Sequence, residues 1–186
     1  DLTVAGHLEF GRDVTLPDGT NGRTKTTLAL LPDAQFPRLS FFLCQQHRPD
    51  LIYVPEWLRH PNTVDGICGV NIVADQKHHS TLKAQLGGLY QGFEVLDGGF
   101  EYQTANGVLR VLSAGAFEET IGPLSDQIRQ EDTPSIAGMD FTTGDMDTLR
   151  EYITKSGIKH RAIESGVVLT DQSLTANTIL RFFKHR

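Results

Sequence analysis

The chain has 186 residues, 39% of them hydrophobic and 22% charged, which is ordinary for a globular protein with one or two small cores. Its net charge of −6 excludes a dedicated nucleic-acid binder, because such binders need a basic patch to displace counterions from phosphates. No apolar run approaches the ~18–20 residues of a membrane span, no signal-peptide pattern is present, and a cytoplasmic protein is expected.

In chain order, His7 to Val14 reads as a strand. Leu16 to Gly22, with Pro17, Asp18, Gly19 and Asn21, is the turn after it. Arg23 to Leu31 is the returning strand, rich in β-branched residues at its start. Leu39 to Gln46 is a third strand, and its run Phe41-Phe42-Leu43 predicts burial on both faces. Residues 48–65 hold Pro49, Pro55, Pro61 and Trp57 and read as a linker with one helical turn near Glu56 to Arg59.

Gly66 to Ala74 is the next strand, and His78 to Leu86 is a helix that stops at Gly87-Gly88. Three strands follow: Gln91 to Leu96, Gly99 to Thr104 and Val108 to Ser113. The short-turn signals Asp97-Gly98 and Asn106-Gly107 separate them. A second linker, 118–134, is expected to be partly helical. The plan then repeats over 135–186: a strand from Ile136, a helix from Met146 to Ser156, a stop at Gly157, and strands at Lys159 to Glu164, Gly166 to Thr170 and Thr178 to Phe183.

Two β-α-β-β-β modules, 66–117 and 135–186, therefore stand in tandem, with Gly138 lying 69 residues after Gly69. Residues 1–47 supply only the three trailing strands of such a module. An incomplete module leaves a sheet edge and an apolar face uncovered. We therefore expect a preceding segment, or another chain, to cover them.

The fold class expected is α+β: tandem β-α-β-β-β modules forming curved mixed sheets with helices outside. This plan resembles the vicinal oxygen chelate superfamily, which includes glyoxalase I, extradiol ring-cleaving dioxygenases and bleomycin-resistance proteins. Four segments carry a closer likeness to the glyoxalase-like proteins: Phe41-Phe42-Leu43-Cys44-Gln45-Gln46-His47-Arg48-Pro49, Arg59-His60-Pro61-Asn62, Gly66 to Val70, and Val108 to Phe117. The resemblance implies a pocket between paired modules, a small oxygenated organic substrate, and a divalent metal (iron, manganese, zinc or nickel) acting as a Lewis acid in a lyase or dioxygenase. The metal-free alternative is a small-molecule binding protein like the bleomycin-resistance members. The departure from the family's ligand pattern is plain. The first strand of each module carries Asn71 or Asp140 where a histidine is usual, and Val108 to Ser113 holds no acid.

Candidate site residues follow from residue type. His47 and His60 are the candidate acid-base groups, since imidazole titrates near neutrality. Alternation puts Gln45 on the face of His47. Arg110, inside an apolar strand, needs an acid; the Asn106-Gly107 hairpin offers Glu101, and otherwise it would take a substrate anion. Arg23 and Trp57 complete the ligand-binding candidates. His7 and Glu9, two residues apart on one strand face, form with His47 the candidate metal set. Each has a plainer reading: a capping histidine, a loop-fixing histidine, a surface strand pair, a hydrophobic anchor. His78 and His79 read as solvated, and Cys44 and Cys68 as small buried residues that form no disulfide framework. A homodimer, or pairing with a preceding segment, is the expected assembly.

Overall fold

The computed structural model describes residues 3–185; Asp1, Leu2 and Arg186 lie outside the described residues. The chain divides into two compact units, residues 1–60 and 61–186.

The first unit carries β1 (Gly6–Phe10), β2 (Asp13–Thr15), β3 (Asn21–Arg23), β4 (Thr26–Leu31) and β5 (Phe41–Gln46). β1, β4 and β5 form an antiparallel meander, and β2 and β3 form a separate ribbon. Each of the two long strands expected here is thus broken in two. At the break Arg12 and Thr24 exchange backbone and side-chain hydrogen bonds, and the antiparallel register carries through unshifted from Phe10 opposite Thr26 to Asp13 opposite Arg23. The core of this unit is small: Leu31, Phe36, Leu39, Leu51 and Val54. Phe42 and Leu43 are 58% and 55% exposed, and Cys44 is exposed, so β5 is not buried on two faces.

The second unit carries β6 (Val64–Val73), α1 (Gln76–Gly87), β7 (Gln91–Leu96), β8 (Gly99–Gln103) and β9 (Val108–Leu112). The short helices α2 (Ala114–Thr120) and α3 (Asp126–Arg129) follow. Then come β10 (Ser135–Thr143), α4 (Met146–Lys155), β11 (His160–Ile163), β12 (Gly166–Leu169) and β13 (Ile179–Lys184). All eight strands join one mixed sheet, in the order β11-β12-β13-β10-β6-β9-β8-β7. Within each module the first strand pairs parallel with the last, β6 with β9 and β10 with β13. The modules meet where β6 runs antiparallel to β10.

Both module helices are built by capping and spacing. Asp75 accepts from the Lys77 N–H to start α1, and Asp145 accepts from the N–H groups of Asp147 and Thr148 to start α4. Leu82 and Leu86 of α1 fall four apart, and Met146, Leu149 and Ile153 of α4 fall three and four apart, so each helix buries one stripe. α1 lies on Phe100 and Tyr102, whose hydroxyl donates to the Lys83 carbonyl at 2.9 Å. α4 packs on Val167 and Phe182.

The linker helices lie on the other side. Phe117, wholly buried in α2, packs with Ile121, Leu124 and Ile128 on Leu112, Ala137, Val168 and Ile179. The strand partners Leu112 and Ile179 share their face with Arg110 and Arg181, two residues along each strand. The expectation of helices on outer faces thus holds for α1 and α4, while α2 and α3 cover part of the opposite face. His78 and His79 are also corrected. Both are half-buried: the His79 ring lies edge-on to Phe100 at 5.7 Å with Nε2 3.1 Å from the Ala74 carbonyl, and His78 Nε2 lies 3.3 Å from the Asp132 carbonyl.

Candidate functional site

On the face shared with α2, the middle of the eight-stranded sheet is polar. β6 places Asn71 there, and β10 places Asp140. Each sits beside an arginine of its own module's last strand, Asn71 registering with Arg110 and Asp140 with Arg181. Arg181 grips Asp140 with two parallel bonds, Nε to Oδ1 and Nη2 to Oδ2, both 2.7 Å. Its Nη1 donates to the carbonyl of Thr120 at the end of α2. Arg110 donates Nε to Glu101 at 2.9 Å, and Nη1 to both Asn71 Oδ1 and Asp140 Oδ2 at 3.2 Å. Two cations thus face two carboxylates in a nearly buried network whose formal charge is zero.

Glycines make room for it. Gly69 registers with Asp140 and Gly138 with Asn71. A Cβ on Gly69 would stand 2.7 Å from Asp140 Oδ2, and one on Gly138 would stand 3.3 Å from Asn71. The repeated Gly-x-Asn and Gly-x-Asp of the first strands is therefore the signature of this seat. Asn71 is fully buried and its Nδ2 is without a partner among the described residues, because its Oδ1 is turned to Arg110. Cys68 lies in the same strand; burial first, then the Asp140 charge, pushes its thiol up from the ordinary value.

Arg110 is the one sequence candidate in this network, and its pairing with Glu101 is the one the hairpin register offered. Its side chain is 27% exposed, and its Nη2 is free of protein partners among the described residues. Arg181 escaped sequence reasoning, although a signal was there: Leu109-Arg110-Val111 and Leu180-Arg181-Phe182 put the same Leu-Arg pair in the last strand of both modules.

In the first unit, the sheet face of His7, Glu9, Thr27, Gln45 and His47 is exposed and polar. The Thr27 hydroxyl donates to Glu9 at 3.1 Å and lies 2.8 Å from His47 Nε2. A hydroxyl has one proton, and an ionised carboxylate only accepts. The Thr27 proton therefore goes to Glu9, and His47 Nε2 is the donor to Thr27. Neutral His47 is then the Nε2–H tautomer, with its Nδ1 lone pair turned away from Thr27. The Thr27 bond first, then the Lys25 ammonium, holds the Glu9 carboxyl below its usual range.

The remaining candidates are scattered. Arg23 pairs with Asp13 at 2.7 Å across the β2-β3 ribbon. Trp57 is 41% exposed, its backbone bonded to Val54 in a turn. His60 is exposed, and among the described residues no hydrogen bond ties it to His47.

Neither polar centre fits a resident divalent cation by itself. The Asp140 oxygens are taken by arginines, and Asn71 and Asp140 are accompanied there by cations rather than by further ligands. Glu9 and His47 are two donors joined through Thr27. The candidate set His7, Glu9 and His47 shares this exposed face, and among the described residues no group of three histidine, cysteine or acidic side chains is placed to hold a metal. A cavity of about 510 Å³ opens elsewhere in the second unit, between the start of α1, the end of α3 and β10. Asp75, Gln76, Ser113, Glu131 and Ser135 are among its lining residues.

No helix among the described residues is long and apolar enough to cross a membrane. No family model and no curated protein matches the chain. Solved structures do resemble it. A hypothetical protein from Staphylococcus aureus is similar over 99% of this chain, with a TM-score of 0.60 and 10% identity; the chain spans 57% of that protein's length. Methylmalonyl-CoA epimerase from Mycobacterium tuberculosis is similar over 69% of this chain and 93% of its own, with a TM-score of 0.47 and 13% identity. A methylmalonyl-CoA epimerase from Streptomyces coelicolor covers 64% of this chain and 96% of its own, with a TM-score of 0.43 and 14% identity. At 10% identity the likeness to the first of these is one of fold alone.

Proposed function

We propose that the chain belongs to a glyoxalase-like protein that binds a small oxygenated organic molecule at its module pair, without a metal there. The observation that carries this reading is the central network. The positions that would hold metal ligands are Asn71 and Asp140, each beside an arginine, and the charges cancel. A neutral, locked network is poor at holding a cation. It is suited to present donors: Arg110, fixed by Glu101, Asn71 and Asp140, offers its free Nη2 edge to a carbonyl or hydroxyl oxygen without having to be ordered on binding. The second reading, a metal-dependent lyase or ring-cleaving dioxygenase, is favoured by the convergence of Glu9 and His47 on Thr27. Its metal would take those two donors and others beyond these residues.

Elemental analysis after metal-replete growth, together with calorimetric titration of small aldehydes, hydroxy acids and catechols, tests both. The binding reading expects a ligand in that panel whose affinity falls at least about tenfold in Arg110→Met, a loss of roughly 1.4 kcal/mol. It expects no stoichiometric metal that depends on Asp140. Metal that is lost in Asp140→Asn would sink it. Metal lost in Glu9→Gln and His47→Ala would put the enzyme reading first.

A further inference from the structure

We propose that the first unit is completed by a strand-helix segment of the same polypeptide, on the N-terminal side of β1, built like Val64–Gly87. Both complete modules close in the same way. Their last strands, β9 and β13, carry a first strand in parallel on the outer edge, and a helix covers the three trailing strands. In the second unit that face is Phe100, Tyr102, Leu109 and Val111, all buried.

The first unit has the same three trailing strands, and its corresponding seat is bare. Registered neighbours Leu8 and Leu28, Leu30 and Phe42, together with Phe10, share one face of the meander. Leu8, Phe10, Leu30 and Phe42 are 50%, 41%, 38% and 58% exposed. Four large apolar side chains on one sheet face are far from single scattered hydrophobics, and a face of this kind marks a contact surface. The edge beside it is also open. Among the described residues β5 pairs only with β4. The His47 N–H donates to the Lys25 carbonyl at 2.9 Å, so alternation turns the N–H groups of Phe42, Cys44 and Gln46 outward. An open apolar strand edge is a template for another strand. A parallel strand on β5 satisfies the edge, and the amphipathic helix after it covers the face, as β6 and α1 do for β7 to β9.

The test sets the native polypeptide, immunopurified from its source cells with antibodies to this chain, beside the 186-residue chain. We expect an intact mass above 20.6 kDa, and amide exchange at Phe42, Cys44 and Gln46 slowed at least about tenfold in the native protein. A native mass of 20.6 kDa would overturn the proposal, as would equal exchange at those amides. So would a concentration-dependent dimer of the 186-residue chain that Phe42→Glu dissolves, since the face would then belong to a second copy.

Discussion

Replacing Asp140 by asparagine tests whether the central network holds the sheet together. The carboxylate accepts three charge-assisted bonds, two from Arg181 and one from Arg110, and it is 4% exposed. Arg181 is 11% exposed at its side chain, so it has little water to turn to. Breaking one partner out of a buried pair costs ~3–5 kcal/mol, because the other charge stays behind unpaired. The amide keeps one acceptor oxygen, and Arg110 keeps Glu101, so the cost falls near the lower end, about 3 kcal/mol. With a urea slope of about 2 kcal/mol per molar, the midpoint drops by roughly 1.5 M at unchanged slope. Far-UV circular dichroism follows the transition. The pair variant Asp140→Leu with Arg181→Leu leaves no orphaned partner in that pair and recovers part of the loss. A drop of less than about 0.5 M for Asp140→Asn alone would refute the reasoning, since the arginines would then be satisfied without this carboxylate.

Three further outcomes follow from other parts of the molecule. Phe117→Ala empties the centre of the cluster under α2 and lowers stability by ~3–5 kcal/mol, read from the same urea transition. Exposed Cys44 reacts at once with a thiol reagent at pH 7.5, while Cys68, whose thiol is raised by burial, reacts only slowly until denaturant is added; equal rates would contradict the placement. The Asp145 carboxyl at the start of α4 is depressed, first by the Thr148 hydroxyl and then by the Thr148 backbone N–H. Its folded value lies below its unfolded one, so its contribution is full above the ordinary carboxylate range and is lost as pH falls through the folded value. Asp145→Asn should therefore flatten the loss of midpoint as pH falls through and below the ordinary carboxylate range, and leave the profile above that range parallel to wild type.

The module plan was legible because its signals are local. Asp97-Gly98 and Asn106-Gly107 set two hairpin registers, and the second of them puts Glu101 opposite Arg110. Asp140 and Arg181 were not legible as a pair. They meet through the parallel β10-β13 ladder, whose register depends on a crossover 41 residues long in sequence separation. Phe41 to Leu43 misled because an apolar run reports that a strand wants cover, not that cover is present. α2 is short enough that its one buried aromatic, Phe117, gave no periodicity to read. On the polar face of the first unit, alternation correctly joined Gln45 with His47. The contact that matters there, Thr27 between Glu9 and His47, spans three strands and needed the sheet itself.

The reciprocal seating of Gly69 under Asp140 and Gly138 under Asn71 has a consequence for how such a chain can change. Two antiparallel strands related by a half-turn, each with a glycine two residues before a polar side chain, form a self-complementary joint. A lone module with that strand could pair with its own copy, but both seats would then have to carry the same residue. An acid at that seat together with Glu101 would then be doubled, setting four carboxylates against two arginines. Joining the copies in one polypeptide lifts that restriction. One seat carries the charge, the other an amide, and the two carboxylates Asp140 and Glu101 balance Arg110 and Arg181.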